Sequence, residues 1–342
     1  MSNALQRGWL LYRNHRYPEA QVEAVRALSA EPQSPHPHML LAYCLQKQKK
    51  SKDALAEARQ AISLSPDESL PYYVLGCIIN SLVIDGILKP KPFLQSSREA
   101  ILQAISIEPE NPDYLVELAR IEFIQERWRE SANLARRALA IEPGHTDCLN
   151  IHSLCMLKLG NFTEAEHDSS TALAHSAQTS LYHANRADLL LHIGKYDQAL
   201  EHASEAMRLD PNSETSRSSF VEALKARYLL YRILLRPILW MDRLKRGNRI
   251  GILVILFTLG RLCASPEMVW SPSMRVVSLV SLILFLWIIM HRPVFNLTVM
   301  SHPRGRYALS SKQKLTATIV GFFVAMFALG ALLSLLAVLF YR

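Results

Sequence analysis

The sequence predicts an all-helical chain in two parts: a solenoid of about six repeated helix pairs closed by a capping helix, then a bundle of about three membrane-spanning helices. Three observations lead there. Prolines return in the first half with a 34-residue period, small residues recur in phase with them, and charge is divided unequally along the 342 residues.

The prolines are Pro32, Pro66, Pro109, Pro143 and Pro211, separated by 34, 43, 34 and 68 residues, the last being two periods. Five residues before each stands an alanine: Ala27, Ala61, Ala104, Ala138 and Ala206. Twelve before, the residue is always small: Ala20, Ala54, Ser97, Ser131 and Ala199. Twenty-four before come Gly8, Ala42, Ala119 and Ala187, with Gly76 at the equivalent place in the longer unit. Ala177 stands where one proline is missing, and Ala165 and Ala172 keep the register there. Small residues let facing helices approach, a turn such as Leu159-Gly160-Asn161-Phe162 reverses the chain, and proline cannot continue the second helix. Each pair then buries its apolar face only against its neighbours, which is a solenoid.

These residues resemble the tetratricopeptide repeat, in six copies over about residues 2–212. The resemblance implies a groove lined by the first helix of each pair, which takes a protein or peptide partner. The family's groove positions fall on Trp9, Tyr12, Tyr43, Tyr73, Asn80, Arg120, Phe123, Asn150, Asn185 and Asp188, aromatic at one end and polar at the other. The family's grip on a C-terminal carboxylate needs lysine where Leu5, Met39 and Tyr73 stand, so no such clamp is expected. Nine extra residues around Asp85 to Phe93, with Pro90 and Pro92 among them, predict a loop or bent helix at one rim.

The expected domains are residues 1–212, the TPR solenoid; 213–249, a capping helix with a basic linker; and 250–342, a transmembrane module. In the capping helix Phe220, Leu224, Tyr228, Tyr231 and Leu235 form a stripe, and Pro237 bends the chain. The expected spans are about 250–270, 274–291 and 315–341. The third has no charge between Leu315 and Tyr341; the first is the weakest, because Arg261 interrupts it. Trp240, Trp270 and Trp287 fall near the expected interfaces, and Ala317, Gly321, Ala325 and Ala328 give the third span a small face for packing on the second span or on a membrane-protein partner.

Charge supports the same division. Before Pro237 the chain has 26 Lys/Arg and 28 Asp/Glu; from Pro237 onward it has 12 and 2, so the whole basic excess lies in the apolar part. A basic pI would otherwise suggest a nucleic-acid surface, but flanking charge accounts for it and no nucleic-acid partner is expected. Arg243, Lys245, Arg246 and Arg249 precede the first span, and Arg292, Arg304, Arg306, Lys312 and Lys314 precede the third. By the positive-inside rule this predicts an integral, multi-pass protein of a bacterial inner membrane, TPR domain cytoplasmic and C-terminus outside, with the lipid bilayer as a partner. The N-terminal residues have no leader pattern.

No phosphate loop, dinucleotide fingerprint or hydrolase motif is present, and Cys44, Cys77, Cys148, Cys155 and Cys263 lack metal-ligand spacing. The chain is therefore expected to be no enzyme, with no cofactor, no metal and no catalytic residue. The function expected is a membrane-anchored adaptor or scaffold. The alternative is an accessory subunit or assembly factor of a membrane transport or envelope complex, with the transmembrane module making the contacts.

Overall fold

The computed structural model describes residues 3–88, 90–262, 280–281, 293–323 and 326, and among these it is helical throughout, without strands. Twelve helices alternate in antiparallel pairs: α1 (Asn3–Arg13), α2 (Tyr17–Ala30), α3 (Pro35–Lys47), α4 (Ser51–Leu64), α5 (Ser69–Ile84), α6 (Pro90–Ile107), α7 (Pro112–Ile124), α8 (Trp128–Ile141), α9 (Thr146–Leu159), α10 (Phe162–His175), α11 (Ser180–His192) and α12 (Tyr196–Leu209). They are followed by α13 (Glu214–Lys225), α14 (Leu229–Asp242) and α15 (Arg246–Leu262). The chain divides into two compact units, Met1–Cys155 and Met156–Arg342.

The in-phase small residues are the contact surface of the pairs. Ala20, Ala27, Ala54, Ala61, Ser97, Ala104, Ser131 and Ala138 have no exposed surface, nor have Ala199 and Ala206 in the second unit. Where serine replaces alanine, its hydroxyl crosses to the partner helix: Ser97 Oγ donates to the Gly76 carbonyl at 2.9 Å and Ser131 Oγ to the Ala119 carbonyl at 2.7 Å. Both acceptors are the small residues of the first helix. A methyl group on Gly76 would lie 2.4 Å from Ile101 Cδ1, so the backbone approach uses the whole space that glycine frees.

The turn inside each pair has one recurring feature. His15, Lys49, Gly86, Glu126, Gly160 and Gly194 all have positive φ, between 60° and 90°. In each case the next residue's N–H reaches back to a carbonyl of the first helix, as from Arg16 to Leu11, Lys50 to Leu45 and Lys195 to Leu190. This is a left-handed C-terminal cap, which glycine adopts freely and other residues at a cost. The second helices end differently: the N–H of Glu31, Ser65, Glu108, Glu142, Ser176 and Asp210 bonds to the alanine carbonyl four residues back. The periodic proline follows immediately, or Ala177 in the one unit that lacks it.

The inserted residues lengthen both helices of the third pair. Its helices have 16 and 18 residues where α3 and α4 have 13 and 14, and Pro90 opens α6 instead of interrupting a helix. Proline fits the first turn because an N–H there has no helical acceptor.

In the second unit the expected capping helix is two helices. Residues 226–228 break it: the Tyr228 N–H bonds to the Lys225 carbonyl at 3.0 Å, and Arg232 Nε donates to the Ala226 carbonyl at 2.6 Å. The break folds Tyr231 back so that its hydroxyl donates to Glu222, which also holds the buried Lys225 at 2.9 Å. Pro237 lies inside α14.

The membrane expectation is corrected. Among the described residues no helix is long and apolar enough to cross a membrane. Of the first expected span, residues 250–262 lie in α15, whose first turn carries Arg246 and Arg249, and residues 263–270 lie outside the described residues. The basic stretch expected to lie between spans is instead folded against α13: Phe295 stacks edge-on to Tyr231 at 4.7 Å, and Phe295, Val299, Ala308 and Leu309 are buried with Phe220 and Leu224. Of the third span's small face, Ala317 is fully buried and a methyl group on Gly321 would lie 2.9 Å from Leu297 Cδ2, so these two residues pack within the unit. The second span except Val280 and Ser281, the third beyond Phe323 except Met326, and Cys263, Trp270, Trp287, Ala325 and Ala328 lie outside the described residues. The multi-pass inner-membrane placement, the bilayer as partner and the three-span bundle therefore have no helix among the described residues to carry them.

Two outcomes test this packing. Ala138→Leu, at a point of helix contact, is expected to lower stability by roughly 1–3 kcal/mol, while Arg137→Leu on the exposed neighbour is nearly neutral. Gly194→Ala is expected to cost about 1 kcal/mol because its φ is 82°, although a methyl group there meets nothing closer than 3.9 Å; Lys49→Gly is expected to raise the midpoint slightly. Urea denaturation followed by circular dichroism measures both.

Candidate functional site

Two positions of the repeat face the inner side of the first unit. One gives Trp9, Tyr43, Cys77 and Arg120; the other, three residues further along each first helix, gives Tyr12, Gln46, Asn80 and Phe123. Three residues is nearly one helical turn, so the two positions form one stripe. Of this stripe Tyr12, Tyr43, Gln46, Cys77, Asn80 and Arg120 line a cleft of about 260 Å³ formed by α1, α3, α5, α7 and the start of α9.

Of the ten expected groove residues, Tyr12, Tyr43, Tyr73, Asn80 and Arg120 line this cleft. Trp9 packs beside it, edge-on to Tyr12 at 5.9 Å and to Tyr43 at 6.0 Å. Phe123 is half-buried and Asn150 buried, and neither lines it. Asn185 and Asp188 belong to the second unit, where they line a separate cleft of about 200 Å³ with Ser218, Ser219 and Glu222.

The cleft's walls are aromatic and its floor is polar. Tyr12, Tyr43 and Tyr73 are half-buried, and burial pushes their hydroxyls well above the usual tyrosine range, so they stay neutral. Tyr73 also packs on Tyr114 at 4.9 Å, whose hydroxyl lies 2.9 Å from Ser69 Oγ. At the floor Asn80 Nδ2 donates to Glu117 Oε1 at 2.5 Å. Arg120 donates to Asp147 at 2.8 Å, and its Nε lies 3.8 Å from Glu117 Oε2. Burial raises the Glu117 carboxyl above its usual range, and Arg120 and Asn80 offset only part of that. For Arg120 burial acts downward, but Asp147 and then Glu117 outweigh it and hold the guanidinium protonated. Beside them Cys77 is pushed well above the usual thiol range by burial.

Glu117 is the functional candidate that sequence reasoning missed. It sits in the run Tyr-Leu-Val-Glu-Leu-Ala-Arg, one turn before Arg120, and an acid flanked by apolar residues on a packed helix was the available signal. Cys77 and Gln46 had a clearer one, since each occupies the repeat position of a residue already in the expected groove. Gln46 Nε2 donates to Ser81 Oγ at 2.8 Å across neighbouring repeats. The other buried thiols, Cys44, Cys148 and Cys155, are pushed up to about 12 by burial and are core groups. Among the described residues no three His, Cys, Asp or Glu side chains are grouped to hold a metal.

The paired helices, left-handed turns and inward stripe define a class, the helical-repeat scaffold. Residues 5–69 and 180–213 match the tetratricopeptide repeat family, and the chain contains tetratricopeptide repeats. No curated protein matches the sequence. Among solved structures, the chain is similar to the Cut9 and Hcn1 hetero-tetramer of the APC/C, at 18% identity and TM-score 0.54 over 65% of this chain and 42% of that one. It is also similar to PilW, described as a widely conserved type IV pilus biogenesis factor, at 16% identity and TM-score 0.50 over 63% of this chain and 96% of that one. At these identities the likeness is one of fold. Tetratricopeptide repeats generally bind protein or peptide partners and serve as scaffolds rather than catalysts.

The Glu117 shift carries a pH dependence whose sign is determined. A carboxyl whose folded pKa exceeds its unfolded value gains stability that is complete below the unfolded value and lost as pH rises through the folded one. Glu117→Gln is thus expected to be at least as stable as the wild type at pH 7, with the difference closing as pH falls toward 4.5. Denaturant midpoints across that range check it; a variant markedly less stable at pH 7 would contradict the account.

Proposed function

We propose that this chain is a protein-interaction scaffold that binds a segment of a partner protein in the cleft of its first unit. The supporting observation is convergence: Tyr12, Tyr43, Tyr73, Asn80 and Arg120 come from four different helices to one depression. Half-buried tyrosines supply large contact area at low entropic cost, and a few fixed polar groups set register. Trp9, Phe123 and Asn150 act around this cleft, and Asn185 and Asp188 form a second contact in the other unit. Positioning a partner requires no reacting group, and the buried thiols and neutral tyrosines are chemically quiet at neutral pH, so the function is binding and not catalysis.

A photo-crosslinking amino acid at the exposed rim residue Lys47 tests this. A discrete adduct is expected in cells, and it is expected to disappear in a Tyr12→Ala/Tyr73→Ala variant whose helicity is unchanged. The same adducts from both proteins would overturn the proposal.

A further inference from the structure

The chemistry of the cleft floor selects its guest, on the footing that the cleft binds a protein segment. Asn80 is 2% exposed, and with its Nδ2 committed to Glu117 its Oδ1 has no hydrogen-bond partner among the described residues. Glu117 Oε2 lies 3.8 Å from Arg120 Nε, which is beyond hydrogen-bond reach. The unmet Asn80 oxygen is an acceptor and the carboxylate beside it accepts as well, so the floor calls for a donor.

Charge points the same way. Two carboxylates, Glu117 and Asp147, stand against one guanidinium, Arg120, which is already held by Asp147 at 2.8 Å. Arg120 is therefore poorly placed to receive an anion. Lys47 also borders the cleft, but it is exposed and screened by solvent. Tyr43 and Tyr73 stand close enough to Glu117 for its charge to act on both hydroxyls, and an aromatic face beside a carboxylate attracts a cation. Burial of Glu117 without a full counter-charge is costly, and a bound cation would relieve it.

We infer that the cleft receives one basic side chain, arginine or lysine, of the bound segment, its charge facing Glu117 and Asp147 and its stem lying between Tyr43 and Tyr73. An acidic side chain is rejected at the same place. The cleft thereby sets both the register and the chemical class of the partner.

The test selects binders to the purified full-length chain from a random dodecapeptide library and measures them by calorimetry. Peptides sharing one arginine or lysine are expected, with affinity falling about tenfold, or 1.4 kcal/mol, when that residue becomes citrulline or glutamine. Two charge-removing variants then separate charge from structure: Glu117→Gln is expected to weaken binding by a similar factor, and Arg120→Gln to strengthen it. A merely structural role for the pair would weaken binding in both. Asp147→Asn, on the half-exposed start of α9, gives a second route to the same loss should Glu117→Gln misfold. Binders with no common basic residue that are still lost in Tyr12→Ala/Tyr73→Ala would overturn this inference and leave the cleft as a peptide site. No binders, or binders indifferent to the tyrosines, would overturn both.

Discussion

The close approach of the two helices within each repeat is the constraint on which the rest depends. Gly76 and Ala119 on first helices face Ser97 and Ser131 on second helices so closely that each serine hydroxyl bonds to the opposite backbone. Larger side chains there would push the pair apart and rotate the first helix about its own axis. The stripe of Tyr12, Tyr43, Asn80 and Arg120 would then no longer converge. The shape of the cleft thus rests on residues that do not line it, which is why the smallest residues of the repeat are the most regular in phase.

That dependence also explains how much was legible in the sequence. A small residue five and twelve positions before each proline is a backbone-contact requirement, and such requirements repeat; the six pairs could be read from them directly. Of the groove positions the resemblance implied, Tyr12, Tyr43, Tyr73, Asn80 and Arg120 line the cleft. Glu117 could not be read in this way, because its meaning depends on Asn80, 37 residues away, and the longer third pair hides that relation from simple counting. Phe123 shares the repeat position of Tyr12 and Asn80 but does not line the cleft, since the same register on a different helix need not reach the same depth.

The apolar end was misread for a physical reason. A run of apolar residues records that water is excluded without recording what excludes it. Phe295 and Val299 lie in a stretch that charge counting assigns to a loop between spans, yet they pack against Tyr231, Phe220 and Leu224. Gly321, expected as a membrane-helix contact, meets Leu297 of the same unit. Small faces and apolar runs serve buried protein contacts by the same physics as membrane contacts.

The cleft unites these levels: packing sets the helices, the helices set the tyrosines, and the tyrosines enclose an acid that lacks a full counter-charge. A crystal structure of the full chain with a selected arginine-containing peptide tests that sequence of causes most directly. The account predicts the guanidinium between Tyr43 and Tyr73, within hydrogen-bond reach of Glu117. A peptide seated on the second helices, with the cleft empty, would contradict it.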